Sequence, residues 1–357
     1  MSRRPVSLSL LVLTGYTAAG FVQLPFLNMA VMGQLLADAN ADAYARTSII
    51  ALGILPWLSI CILLEMLGTL IAPVRRWRVF KGGHVNPFHP VVVLGALVIA
   101  GLQAYGVAVG LQAAGLVRPT VDTLATLAII ASLIGGVALA VLAASVVERY
   151  GWGYGFWTLV AVSFLSVIKG AFGSVSQLVV RGIISDAMLM VEVLVVAVAV
   201  CGVVWLTRLL ADKAEPQANP TIGIVVWPTL AGLHVAGMLV GGLLVLFPNL
   251  EFSTAQSGIR IISVLLAVAS VVLLVIFVSL SLKRAGQHRA IIAANTVLVG
   301  LFLVPYLFEL TGVQSNLVWM LLSPLGQFTA TIALMTVLAS RLLYWWSSSP
   351  STTRNRN

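Results

Sequence analysis

The chain has 357 residues, of which 60% are apolar and only 9% charged, with a formal net charge of +9. Soluble domains carry roughly 25% charged residues, so this composition excludes a soluble enzyme, a disulfide-stapled secreted domain and a disordered chain. It fits a polytopic membrane protein, in which roughly 20 apolar residues cross the hydrocarbon as one helix.

Apolar runs between charges predict ten spans, at 6–28, 47–72, 90–112, 122–147, 155–176, 184–207, 221–247, 258–282, 289–309 and 316–344. The first follows Arg3 and Arg4 and lacks a small-residue cleavage site, so it reads as a retained helix, not a signal peptide. With the N-terminus in the cytoplasm, the opposite side holds five basic residues: Arg46, Arg118, Lys169, Arg181 and Arg260. The other fifteen of the 20 lysines and arginines then face the cytoplasm, the bias expected of a correct topology. Ten spans place both termini on that side.

The second span holds Glu65 at membrane depth, behind Ile60–Leu64. A charge at a helix centre costs about 2.5–3.5 kcal/mol on insertion scales, so it faces a cavity, a partner or the interface. Polar lining and interface anchor are equally good readings of Glu65. Arg75, Arg76, Arg78 and Lys81 follow, either as a positive-inside anchor or as a platform for anionic headgroups or a partner. His84 and His89, beside Asn86 and Pro87, read as a solvated loop. Gln103 lies within the third span, and Glu192 in the sixth reads as structural, two turns from Asp186 and in reach of the outer interface. In the seventh, Pro228 predicts a kink and His234 a packing role. Cys61 and Cys201 sit in apolar runs and read as small core residues.

No loop is long enough to hold a soluble catalytic domain. The sequence has no Walker loop, dinucleotide fingerprint, HExxH, CxxC, GxSxG or GxGD pattern, and no basic stretch interleaved with aromatics. Neither catalysis, a cofactor, a metal nor nucleic acid is expected.

Several stretches carry a more specific signal. Tyr44–Met66 reads YARTSIIALGILPWLSICILLEM. It resembles the second helix of the SecY family of protein-conducting channels, Arg-x-Ser-Ile-x-Ala-Leu-Gly-Ile-x-Pro-Tyr. Arg46, Ser48, Ile49, Ala51, Leu52, Gly53, Ile54 and Pro56 match, Trp57 replaces the tyrosine, and Glu65 falls where the family has a glutamine near its lateral gate. Phe21–Leu36 resembles the end of the first helix, with Pro25 kept and Phe26 in place of a glycine. Leu102–Leu111 is similar to the third helix, with Gln103 and Gly106 in register. Val147–Gly155 (VERYGWGYG) resembles the Glu-Arg-Gly-x-Gly-Asn-Gly turn between helices four and five, with one extra residue and no asparagine. Gly223–Gly237 is similar to the seventh helix, Pro228 supplying its proline and His234 falling near its serines.

The resemblance implies an all-α fold of ten membrane helices in two inverted five-helix halves, 1–178 and 179–346, with a disordered cytoplasmic tail at 347–357. It implies a bacterial plasma-membrane protein that translocates or inserts polypeptides. Its pore ring would comprise Ile54, Leu58, Phe156, Val160, Leu230 and Val318. Its lateral gate would carry Glu65, Gln103 and His234, with Glu65 and His234 facing each other. His234→Ala is then expected to lower the population of closed gates, and an unchanged population would overturn the pairing. Small SecE- and SecG-like subunits and anionic lipids are implied partners. Three departures stand out. The stretch 38–45 leaves little room for the family's plug helix. Loops 208–220 and 283–289 are too short to project toward a SecA motor or a ribosome. The asparagine of the fourth-to-fifth turn is missing. A non-conducting SecY-derived scaffold and a transporter of small solutes or lipids therefore stay open as alternatives.

Overall fold

The computed structural model describes residues 4–28, 31, 47–81, 84–118, 122–211, 225–227, 229–231, 276, 293, 296–301, 303–305, 307, 317–318 and 327–347. Its longer helices are α1 (Arg4–Ala18), α2 (Leu55–Leu70), α3 (Pro90–Ala113), α4 (Asp122–Tyr150), α5 (Gly155–Val180), α6 (Asp186–Ala211) and α7 (Gln327–Ser347). A 3-10 turn, Ala19–Phe21, extends α1, and another, Val74–Arg76, follows α2. Between α2 and α3, β1 (Phe80–Lys81) and β2 (His84–Val85) pair as a small antiparallel hairpin.

Three helices among the described residues are long and apolar enough to cross a membrane: Pro90–Ala113, Thr123–Tyr150 and Asp186–Leu210. They coincide with the predicted third, fourth and sixth spans. The eighth span apart from residue 276, the plug region 38–45, the loop 283–289, Pro228, His234 and the tail after 347 lie outside the described residues.

Helix α3 starts where its sequence says it should. Pro90 occupies the first helical turn, where a missing N–H costs nothing. His89 caps the helix, its Nδ1 accepting from the Val91 N–H at 3.3 Å. The histidine is thus a cap and not a bystander in a solvated loop. Val92, Ala96, Ala100, Ala104 and Ala108 recur every fourth residue and are all buried. On α4, Ala125, Ile129, Leu133 and Val137 form the matching row. Small residues let the two backbones approach closely, which is how helices associate where lipid is as apolar as leucine. Leu94, Val98, Leu102, Tyr105 and Val109 point outward, as lipid-facing side chains do.

The second span departs from expectation. Helix α2 begins only at Leu55, and residues 47–54 form turns, with Gly53 at φ +50°. Pro56 fits this start, since it stands in the first helical turn, where its missing N–H costs nothing. Buried irregular backbone survives only if its polar groups are paired inside the protein. Here they are. Residues 22–28 run between two neighbours with a turn at Pro25 and Phe26, Gln23 bridging Ser48 and Leu27 bridging Val117. Leu24 N donates to Thr47 O at 2.9 Å, and Ile49 N to Val22 O at 2.9 Å. On the other edge, Asn28 N donates to Leu116 O at 2.8 Å, and Arg118 N to Phe26 O at 3.1 Å. The Thr47 hydroxyl adds a 2.7 Å bond to Gln23 Oε1. Leu24, Leu27 and Leu52 sink from this clasp into the α3–α4 core.

The chain divides into two compact units. One is Met1–Leu64, Arg76–Ser163 and Arg341–Asn357; the other is Glu65–Arg75 and Phe164–Ser340. In the second unit, α6 buries Val203, Leu206 and Leu210, and Gly202 opens a place for the Val297 side chain. Cys61 is buried as expected, whereas Cys201 is exposed on α6. An apolar run cannot distinguish core from lipid, which is why Cys201 was misplaced.

Candidate functional site: an aromatic and aliphatic waist

The first unit gathers four of the six expected ring positions. Ile54, Leu58, Phe156 and Val160 are each at most 4% exposed. Ile54 closes the turn before α2, and its carbonyl accepts from Leu58 N at 2.9 Å. Phe156 and Val160 are one turn apart at the start of α5.

Trp57 joins the two sets. Its ring meets Phe156 edge-on, with centroids 4.8 Å apart and planes at 76°. Phe156 meets Trp157 in the same way at 4.9 Å, and Trp57 meets Phe88 at 5.4 Å. Each such pair contributes about 0.5–1.5 kcal/mol beyond the area it buries. The Trp57 Nε1–H donates to Pro87 O at 2.9 Å, so this fully buried indole leaves no donor idle. Tyrosine, the family residue here, has no ring N–H at that place.

The turn into α5 is held by polar contacts that sequence reasoning did not find. Gly155 N donates to Glu148 Oε2 at 2.6 Å. Trp152 N donates to the buried Ser9 hydroxyl at 3.3 Å, tying the turn to α1. Trp152 Nε1 donates to Thr158 Oγ1 at 3.0 Å, and that hydroxyl donates to Tyr154 O at 2.9 Å. Tyr154 has φ 55°. Counting back from Gly155, it stands where the family pattern has asparagine, a residue that tolerates left-handed backbone. Phe26, standing in for a family glycine, has φ 61°. At both places the backbone keeps the shape that glycine or asparagine favours, at a cost of roughly 1–2 kcal/mol for an ordinary side chain.

The remaining expected site residues are distributed more widely. Leu230 and Val318 are fully buried in the second unit. Glu65 is 5% exposed on α2 and opens the second unit's Glu65–Arg75 segment. Gln103 lies on the exposed face of α3 beside Leu102. Glu192 does not reach an interface: it is fully buried, and its Oε2 accepts from Leu317 N at 2.8 Å, beside Val318. In the basic stretch, Arg76, Trp77, Arg78 and Lys81 are exposed and Arg75 is half-buried. Among the described residues no cluster of His, Cys, Asp or Glu could hold a metal ion.

Among the described residues, long apolar helices accompany a hydrogen-bonded clasp and a buried aromatic and aliphatic cluster, the architecture of a helical membrane protein. Solved structures support this. The chain is similar to a protein-conducting channel at TM-score 0.59 and 12% identity, covering 99% of this chain and 95% of that one. It is similar to a SecY protein whose plug domain stabilises the closed state of its translocation channel, at TM-score 0.57, 12% identity and the same coverage. It is also similar to Sec61 in the canine ribosome–channel complex from the endoplasmic reticulum, at TM-score 0.53 and 13% identity, again covering 99% and 95%. Residues 48–211 match the SecY family model. No curated protein sequence matches it.

Proposed function

We propose that this protein is the channel subunit of a divergent translocase, moving polypeptides across a membrane or into it. One observation carries the reading. The SecY match at 48–211 spans both segments that supply the waist, and Ile54, Leu58, Phe156 and Val160 are buried together within one compact unit. A ring of such side chains blocks ions by dewetting and needs no fixed charge. Leu230 and Val318 complete it in this reading. A passing hydrophobic segment leaves sideways into lipid because its burial there gains about 25 cal/mol per Å². Glu65, Gln103 and His234 are assigned to that lateral gate, with both termini in the cytoplasm. Arg75, Arg76, Arg78 and Lys81 form a cytoplasmic platform for anionic headgroups. Small SecE- and SecG-like subunits are the proposed partners, and the chain supplies no nucleotide motif of its own, so a partner or the membrane potential drives transport.

Photocrosslinkers at Leu58 and Val160, challenged with stalled signal-bearing nascent chains in native membranes, test this. Adducts are expected at both positions and none at Leu97 on α3. If both waist positions stay silent while membrane partners co-purify, the protein is a SecY-derived scaffold that does not conduct.

A further inference from the structure

Between α2 and α3, the described residues on either side of the hairpin turn are held by backbone hydrogen bonds. Phe80 N donates to Trp77 O at 3.0 Å, and Asn86 N closes the hairpin by donating to Val79 O at 2.8 Å. Val79 and Val85 are buried beneath it. Asn86 then organises the exit, its Oδ1 accepting from Phe88 N at 3.2 Å and its carbonyl from His89 N at 3.1 Å. His89 in turn caps α3.

This piece meets the buried aromatic cluster at Trp57. Pro87 O receives the Trp57 Nε1–H, and Phe88 lies edge-on to the same indole. The other side of that indole rests on Phe156. Trp57 is therefore the shared member of two contacts, one to the cytoplasmic hairpin and one to the start of α5. All of these residues lie in a single compact unit.

We infer that Trp57 is a positioning residue that couples the basic hairpin to the waist, so that the hairpin and the Phe156 end of α5 are ordered or loosened together. Proline offers a carbonyl acceptor and no N–H, so the bond to Trp57 is of the one kind its main chain can make. An aromatic ladder suits the role, since edge-to-face rings have a preferred geometry and do not slide as aliphatic chains do. Arg76, Arg78 and Lys81 are exposed on and just before the hairpin, and a ligand held there would bear on Ile54, Leu58 and Phe156 through this contact. The inference deepens the channel reading at the same waist, yet its readout requires no polypeptide transit.

The test is amide hydrogen exchange on the full-length chain in lipid nanodiscs. Trp57→Phe keeps an aromatic ring and removes the N–H. Exchange at the Phe80, Asn86 and His89 amides is expected to rise by about tenfold, while amides of Ile129–Val137 on α4 stay protected. Phe156→Ala, at the far end of the ladder, is expected to loosen the same three amides. Leu133→Ala removes comparable packing from the α3–α4 core and should leave them unchanged. Unaltered hairpin exchange in Trp57→Phe overturns the inference, as does loosening by Leu133→Ala equal to that by Phe156→Ala. Crosslinking at Leu58 and Val160 scores the channel reading separately.

Discussion

Gly136→Ala is expected to destabilise the protein by about 3 kcal/mol or more, the upper range for overpacking a close-packed site. A Cβ on Gly136 would land on the Ile49 carbonyl oxygen, with the Ile49 carbonyl carbon 2.9 Å away and Ile50 Cα at 3.3 Å. These are backbone atoms, so no rotamer change relieves the collision. Nor can residues 47–54 simply retreat. Ile49 N is bonded to Val22 O, and Leu24 N to Thr47 O, so shifting Ile49 pulls on the whole clasp. Gly135 provides the matched control, with nothing within 4 Å of its Cβ position. Gly135→Ala should be neutral or slightly stabilising, since alanine is favoured over glycine in a helix by about 1 kcal/mol. Thermal unfolding in detergent, with recovery of monodisperse protein, compares the two. Equal behaviour of adjacent alanines would mean that the re-entrant segment does not lie against α4 as described.

The same segment marks the boundary of what the sequence makes legible. Helices α3, α4 and α6 could be read from apolar length alone, because an uninterrupted run of that size has no other stable state in lipid. The run through 47–72 is equally apolar, yet its first third is not helical. Hydropathy reports where a segment sits and not how its backbone is paired; Pro56 and Gly53 were the only local clues. Apolar patterning likewise gave no means of telling the buried Cys61 from the exposed Cys201. Contacts between distant residues were beyond reach. The bond from Leu317 N to Glu192 joins residues 125 apart, and Trp152 N meets Ser9 across 143. Pattern resemblance reached further than chemistry at Phe26 and Tyr154. Both differ from the residue the family pattern has there, and each adopts the positive φ that glycine or asparagine favours. For the waist, composition could nominate any apolar side chain. It took the family pattern to single out Ile54, Leu58, Phe156 and Val160, and the fold to reveal Trp57 between them.

That Trp57 meets Phe156 at all depends on where α5 begins, and Gly155 sets that point. A Cβ at Gly155 would land on the Ala144 carbonyl oxygen and lie 2.8 Å from the Ala144 carbonyl carbon and from Glu148 N. Helix α5 would have to leave α4 to make room, carrying Phe156 away from Trp57 and Val160 away from its core position. It would also strain the 2.6 Å bond from Gly155 N to Glu148 Oε2. Gly155→Ala is therefore expected to cost about 3 kcal/mol and to disturb the waist in whatever protein still folds. Gly153 separates this collision from simple backbone strain. It has φ +81° with open space around its Cβ position, so Gly153→Ala pays strain of about 1–2 kcal/mol and displaces nothing. Glu148→Gln keeps an acceptor oxygen for Gly155 N and should resemble the unsubstituted protein, whereas Glu148→Ala should lean toward Gly155→Ala. Melting in detergent ranks the stabilities, and photocrosslinking from Val160 reads the geometry. Loss of both in Gly155→Ala, with Gly153→Ala losing stability alone, assigns the glycine to positioning α5. If the two alanines lower stability alike and leave crosslinking equally intact, the waist is fixed by its own aromatic packing and not by the turn that leads into it.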